Sequence, residues 1–449
     1  MGDFNASLAI QEFTSGSSRS TLPMREFKEC GDQLCMTDVN RTGLQFTWNQ
    51  RPNSTSGILK KINRIMANDF FLQDYPDAFA IFQPFRNSDH SPSILRLPKA
   101  VGSKRKPFCF SNHVAFHEDF LNVVDTGWRS EVEGHKMYKI VKKLRMLKKP
   151  LRKLMWAKGN LHERVQNIRK DLDDIQYQLD KNPHSKDIRV KESETLKLFD
   201  EAVLDEERFL KQKSKIEWLR VGDSNSSYFH KFVQGKKHRS KINNIVDHGG
   251  NVHQGVDVPN IFVDHYIQVL GNASTCNNIT DPQNLFSNRL PPDIAQIMIR
   301  PVDTSEVKDV VFNFGVDKSP GPDGYSAAIF KHAWDIIGDE VVEAIKDFFS
   351  NGQFLKEINH TTISLLPKIQ VPSKVNDFRP IYCCNVIYKI ISRIITNRIR
   401  DGLKYIVSDN QSAFIPGRRI SDNILLTQDL MKNYHLDRGI PICAFKVDI

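Results

Sequence analysis

No Cys-x-x-Cys spacing occurs among the 7 cysteines, and their odd number argues against both a disulfide framework and a zinc site. The adjacent Cys383 and Cys384 read as thiols of a reducing compartment. No run of eighteen apolar residues is present, and the opening MGDFNASLAI has neither a basic flank nor a long apolar stretch. Neither a membrane span nor a secretory leader is therefore expected, and Asn-x-Ser/Thr triplets such as those at Asn53 and Asn278 are chance matches. A Gly-x-Ser-x-Gly elbow is lacking, which removes a serine-hydrolase reading. Internal repeats and low-complexity tracts are also missing.

What is present is a globular balance over 449 residues, with 40% hydrophobic and 26% charged positions, enough for two or three domains. The net charge of +10 favours a polyanionic partner. That charge is concentrated. From Lys136 to Lys170 there are thirteen Lys/Arg against one acid, Glu163, an excess of twelve that exceeds the excess of 10 in the whole chain. Within the same run, Ile140, Leu144, Leu147, Leu151 and Leu154, then Leu161, Val165, Ile168, Leu172, Ile175 and Leu179, follow 3-4 spacing. Such spacing predicts amphipathic helix, divided or kinked at Pro150 and Gly159-Asn160. Two compatible readings stand: a solvated helical hairpin or coiled-coil linker, and a basic face for nucleic-acid phosphates.

On either side the texture changes. Residues 1–98 carry short apolar runs between turn formers, which suits strands of an α/β or sandwich layer. Residues 99–107 read as a linker and 110–240 as mostly helical. From Pro301 onward, helices alternate with strand-like segments: HTTISLLPK, NVIYKIISRIITNRI and PICAFKVDI.

Two constellations bear chemistry. In the first, Asp3 and Asn5 of GDFN lie two apart, and Asp89 and His90 sit in SDHSP before the turn former Pro92. Carboxylates for Mg²⁺, a histidine to take a proton from water and an amide for a phosphate oxygen suit phosphodiester hydrolysis. Taken singly, GDFN is a turn sequence and SDH a helix cap. In the second, the turn-rich Lys318-Ser319-Pro320-Gly321-Pro322-Asp323-Gly324 precedes a helical run. LLPK and DFRPI then place Lys368 and Arg379 on the arms of a hairpin, where two cations suit a triphosphate or simply face solvent. Asp422-Asn423 lead into another amphipathic helix, and a terminal strand over 442–449 carries Asp448.

GDFN, Phe46-Thr47-Trp48-Asn49, Ile62 through Asn68 and SDHSP together resemble, in order and spacing, the second half of the endonuclease/exonuclease/phosphatase family. KSPGPDG, LLPK, DFRPI, NVIYKIISRIITNRI, QSAFIPGRRISDNILL and FKVDI resemble the reverse transcriptase of plant LINE (non-LTR) retrotransposon polyproteins. Residues 209–214, Trp218-Leu219, Gly222 through Asn225 and Tyr228-Phe229-His230 are similar to the connector before that polymerase.

This resemblance implies a multidomain α+β protein. Residues 1–98 would be part of a four-layer α/β sandwich and 99–240 a basic helical or coiled-coil connector. Residues 241–300 would be a mixed linker, and 301–449 part of a right-hand polymerase, with fingers and the start of the palm. It implies that Asp3 and Asn5 contact the scissile phosphate and nucleophile, that Asp89 assists the metal, and that His90 is the general base. Lys368 and Arg379 would contact nucleotide phosphates, Gln411 and Arg418 template and primer, and Asp448 would be the first polymerase metal ligand, with Mg²⁺ as cofactor.

The implied partners are element RNA, chromosomal DNA and dNTPs, with no membrane, in an intracellular ribonucleoprotein of nucleus or cytoplasm. Two departures stand out: Asn63 where the family has the Asp that orients histidine, and Tyr382-Cys383 in place of Ser-Leu. Only Met1 and Gly2 precede Asp3, no Asp-Asp pair follows Asp448, and the family's metal-binding Glu half is not among these residues. From the 449 residues alone, neither primer extension nor nicking is expected. The other reading is a non-catalytic RNA- or DNA-binding remnant, or a binding protein adopted by its host.

Overall fold

A computed structural model describes the chain except for residues 15–20, 53–56, 99–106, 158, 215–239, 248, 274–287, 370, 409–410, 413–414, 416 and 433–449. Asp448 with its strand, and the connector motifs from Trp218 to His230, lie outside the described residues. The architecture is mixed α and β, with long helices and small sheets. No described helix is long and apolar enough to cross a membrane.

In the N-terminal region the strands are short. β1 (Gly2–Asp3) pairs antiparallel with β6 (Asn63–Arg64), and β2 (Thr37–Asp38) with β7 (Met66–Ala67). β4 (Trp48–Asn49) pairs antiparallel with β5 (Leu59–Lys60). A fourth strand set, β3 (Arg41–Gly43), β8 (Phe79–Phe82) and β9 (Ser93–Arg96), forms the largest sheet of this region among the described residues. Phe82, Ala80, Ile65 and Val39 close a small core beneath it. The strand reading of 1–98 is incomplete in two places. Leu22–Gln33 is a helix, α1, and the short α2 (Asp69–Asp74) is capped by Asn68, whose side chain accepts from the Phe71 N–H.

The first helix of the basic run is not solvated on all sides. α4 (Lys136–Ala157) lies against α3 (Phe120–Trp128) and against the helices that follow residue 301. Ile140, Leu147 and Leu151 are fully buried in one core with Val307, Ile345 and Ile390. A Cβ on Gly127 would stand 2.4 Å from Leu147 Cδ2, so any larger residue there would push the Leu147 side chain aside where α3 meets α4. Pro150 sits inside α4 without ending it, because packing on both sides outweighs the one donor it removes. The division falls at Gly159, whose φ of +63° suits glycine, before Asn160 caps α5 (Leu161–Lys181). α5 and α6 (Lys186–Ser214) form the helical hairpin that the spacing suggested.

Residues 241–300 fold into the hairpin β10 (Asn244–Val246) and β11 (Val252–Gln254), then α7 (Val258–Gly271) and the short α8 (Pro292–Met298). The helices α9 (Thr304–Phe312), α10 (Ala327–His332), α11 (Trp334–Asn351) and α12 (Lys356–Asn359) follow. β12 (Thr361–Pro367) and β13 (Phe378–Cys384) then make the expected hairpin.

NVIYKIISRIITNRI is a helix rather than strand-like: α13 runs Val386–Ile406. Its β-branched residues favour strand locally, but Val386, Ile387, Ile390, Ile391 and Ile394 recur at helical spacing and all face the core. α14 (Ile420–Leu430) buries none of its residues, so the apolar face expected there meets no core among the described residues.

Candidate functional site

Four separate sequence segments meet around His90. The β1–β6 register sets Asp3 directly across from Asn63, so both side chains leave the same face of the ladder. Asn63 is held in place from behind, since Thr47 Oγ1 accepts from the backbone N–H of Ile62 (3.0 Å) and of Asn63 (2.9 Å). Trp48 bridges to His90, and the Asn49 N–H donates to the Asp89 carbonyl at 2.8 Å. Those backbone bonds pin SDH to the strand that carries FTWN.

The side chains then connect. Asn63 Oδ1 lies 3.0 Å from His90 Nδ1. An amide oxygen can only accept, so Nδ1 carries the ring proton and Nε2 is left as the basic nitrogen. Asp89 Oδ2 lies 3.9 Å from Nε2 and also accepts from Trp48 Nε1–H at 3.2 Å. Asp3 Oδ1 accepts from the Asn5 N–H at 2.9 Å, closing a tight turn in which Asn5 has φ of +53°. The sequence reading had all four residues in one site; it gave no roles to Thr47 and Trp48, which position Asn63 and Asp89.

Beneath these strands lies a charged cluster that sequence reasoning missed. Arg64 is fully buried and paired with Glu12 and Asp38. Lys61 pairs with Asp38 and stands 3.5 Å from Glu12. Burial pulls Lys61 below the ordinary lysine range, with Asp38 opposing that shift. Burial likewise lowers Arg41, against the pull of Asp38. Alternation in KINR gave no hint of it, because Lys61 and Arg64 read as surface residues until Glu12 and Asp38 arrive from elsewhere.

As a metal site the cluster is incomplete. Among the described residues no group of three or more His, Cys, Asp or Glu converges to hold an ion. Asp3 and Asp89 each already accept a hydrogen bond from the protein. This donor set does not by itself fit Mg²⁺, and no step below is routed through an ion.

The second candidate site is the hairpin. Leu366 pairs with Arg379, and the Lys368 N–H donates to the Asp377 carbonyl at 2.7 Å. That register puts Lys368 and Arg379 diagonally on one face, as two cations serving one anion require. Lys368 Nζ folds back on the Asn376 carbonyl at 2.8 Å, while Arg379 is exposed. Asp377 shapes the turn between the strands. Partial burial raises its pKa, but the N–H groups of Lys374 and Ser373 outweigh that and hold it below the usual carboxylate range.

Arg418 closes a loop. Its guanidinium donates to the carbonyls of Val407, at 3.3 Å, Ser408 and Gln411, at 2.7 Å.

KSPGPDG is fixed by Asn385 at the start of α13. The Asp323 N–H donates to Asn385 Oδ1 at 3.1 Å, and Asn385 Nδ2 donates to the Glu357 carbonyl at 2.9 Å. A Cβ on Gly321 would lie 2.3 Å from Asn385 Oδ1 and 2.5 Å from its backbone nitrogen. Burial raises the Asp323 pKa against the Tyr325 N–H, Lys148 and Lys389.

With the geometry in place, comparison with known proteins gives one informative relative. The chain is 27% identical over 148 residues to the Transposon TX1 uncharacterized 149 kDa protein of Xenopus laevis. It resembles a transposon protein. The matched stretch is 33% of this chain and spans 11% of that relative's length. No family model matches the chain.

Proposed function

We propose that this chain is part of a LINE-type (non-LTR) retrotransposon protein. In this reading residues 1–98 form the second half of an endonuclease/exonuclease/phosphatase domain. Residues 301–449 form the nucleotide-facing part of an RNA-directed DNA polymerase, with 99–240 as a basic helical connector and 241–300 as a linker between the two. The observation that carries it is the hydrogen bond of His90 to Asn63 at 3.0 Å, with Asp89 next to His90 and Asp3 paired across the ladder from Asn63. Similarity to a transposon protein supports the same origin.

The mechanism follows from the residues. His90 Nε2, fixed as the proton acceptor by the bond at Nδ1, takes a proton from a water whose oxygen bonds to phosphorus as the bond to the leaving sugar oxygen breaks, and that leaving oxygen takes a proton from solvent. Asn63 holds the ring, and Asp89, steadied by Trp48, lies beside the imidazolium that forms. Asp3 stands on the adjoining strand and Asn5 in the turn that follows it, where the scissile phosphate would lie. The Mg²⁺ of the family would be completed by its Glu-bearing half. On the hairpin, Arg379 and Lys368 would hold the triphosphate of a dNTP opposite an RNA template. Such a protein acts on chromosomal DNA, within an intracellular ribonucleoprotein.

The test is nicking of supercoiled plasmid in Mg²⁺, by the chain alone and with the first half of a family nuclease supplied in trans. The reading expects nicking only in the mixture, and its loss in His90→Ala. A bound, well-folded mixture that never nicks, or one that nicks equally well with His90→Ala, removes it.

A further inference from the structure

The basic run of α4 is divided by the fold into charges that are used and charges that are left over. Lys143 Nζ stands 2.6 Å from Glu340 and 5.4 Å from the Trp128 ring, and Lys136 lies 3.3 Å from Glu343. On the other flank, Lys148 and Arg152 stack over Phe108 at 5.6 Å and 5.4 Å. These four serve the packing of α4 onto its neighbours. Of the rest, Lys139 is half-buried, while Lys142, Arg145, Lys149 and Lys153 are exposed and have no ion pair among the described residues.

Their placement is not that of a scattered solvated face. At 3.6 residues per turn, the four lie within about 100° of one another, opposite the buried stripe of Ile140, Leu147 and Leu151. They extend for about 16 Å along the helix. Acidic side chains that would neutralise such a row are absent from α4, whose sequence from Lys136 to Ala157 contains neither Asp nor Glu. The same arc carries an aromatic at each end. Tyr138 precedes the row and is 39% exposed, and Trp156 follows it and is 74% exposed. An indole so open to water gains nothing from the protein's own core.

A row of cations between two exposed ring faces is complementary to a polyanion that also offers flat aromatic surfaces. An acidic peptide answers the charges and leaves the rings unused. A duplex has its base faces already stacked. We infer that the outer face of α4 binds a single strand of nucleic acid, with Lys142, Arg145, Lys149 and Lys153 on phosphates and with Trp156 and Tyr138 stacking on bases. Backbone charge and base faces are common to RNA and DNA single strands, so recognition here does not depend on sequence. The inference does not need the nuclease or polymerase reading, because it concerns a different surface and involves no chemistry.

The experiment is fluorescence anisotropy of a labelled twenty-nucleotide oligo-uridylate with the full chain, over a salt titration. The quadruple variant Lys142→Gln, Arg145→Gln, Lys149→Gln, Lys153→Gln is expected to reduce the slope of log K against log salt by about 3, at about 0.7 per phosphate for single strands. A charge-matched control, Lys170→Gln, Lys181→Gln, Lys191→Gln, Lys197→Gln, removes four exposed lysines of α5 and α6 and should leave the slope nearly intact. Trp156→Ala should weaken binding about tenfold with the slope unchanged, because stacking releases no counterions. Circular dichroism melts of each variant establish that folding is retained, as expected for side chains pointing into water. Equal slope loss in the control, no effect of Trp156→Ala, or binding of a duplex as tight and as sensitive to Trp156→Ala would each overturn the assignment. Loss of nicking bears on the nuclease reading alone.

Discussion

His90 Nδ1 and Asn63 Oδ1 stand 3.0 Å apart, bridging two segments 27 residues distant in sequence. An amide in this position orients the imidazole and fixes its tautomer but adds no negative charge to stabilise the imidazolium. Under the proposed nuclease reading, a carboxylate in its place should therefore accelerate nicking by the complemented protein, while deleting it should slow the reaction. We expect Asn63→Asp to raise the nicking rate by about tenfold or more and Asn63→Ala to lower it, with substrate binding little changed. Equal rates for all three proteins would show that this hydrogen bond does not matter to proton transfer.

Asn385 is the joint between KSPGPDG and α13, and it is only 4% exposed. Asn385→Leu would leave the Asp323 N–H and two carbonyls without their partner, at a cost of about 1–3 kcal/mol. Gly321→Ala drives a methyl group into the same amide and into the backbone of Cys384 and Asn385, and should cost about 1–3 kcal/mol. Chemical denaturation measures both. A Gly321→Ala protein as stable as wild type would mean that the loop does not pack as described.

The pair Lys143–Glu340 should matter far more than the neighbouring cations. Lys143 is 8% exposed, so removing its carboxylate strands a charge inside the helix interface. Glu340→Ala is expected to cost about 1–3 kcal/mol, against under about 0.5 kcal/mol for Lys142→Ala. Similar values for the two would place Lys143 in solvent.

His332 gives a stability signature in pH. Although His332 is exposed, partial burial, then Arg208 and Lys331, hold its pKa below the ordinary value of 6.5, so the fold favours the neutral ring packed against Phe116. A depressed folded pKa contributes stability that is complete above the unfolded value and is lost as pH falls through the folded one. The melting temperature should therefore drop as pH falls below 6.5, and His332→Gln should flatten that part of the profile. An unchanged profile in the variant would assign the slope to another group.

On the hairpin, Lys368 and Arg379 share a face by register, and the two should act together on one triphosphate. Arg379→Ala and Lys368→Ala are each expected to weaken Mg-dNTP binding about tenfold, in calorimetric titration, with the larger effect at the freely exposed arginine. Affinity that survives the double variant would leave both as surface cations.

Some of this was written locally and could be read without coordinates. The 3-4 spacing from Ile140 to Leu154 specifies a helix whatever surrounds it, and turn formers between LLPK and DFRPI specify a hairpin. Motif order likewise brought Asp3, Asn5, Asp89 and His90 into one expectation, since spacing along a chain is preserved in its sequence. Partners were another matter. Whether the apolar stripe of α4 met water, a second coil or the helices after residue 301 depends on contacts between positions some two hundred residues apart, such as Lys143 and Glu340. Local propensity also misread residues 386–394, because five buried β-branched side chains favour strand until a core selects the helical face. Pro150 was weighed as a break for the same reason: a lost donor is visible in sequence, while the packing that offsets it is not. Residue order and the periodicities of the elements are relations between neighbours along the chain and can be read from it directly. Which cations of α4 are paired and which face solvent is set by the fold, since burial and pairing are properties of neighbours in space.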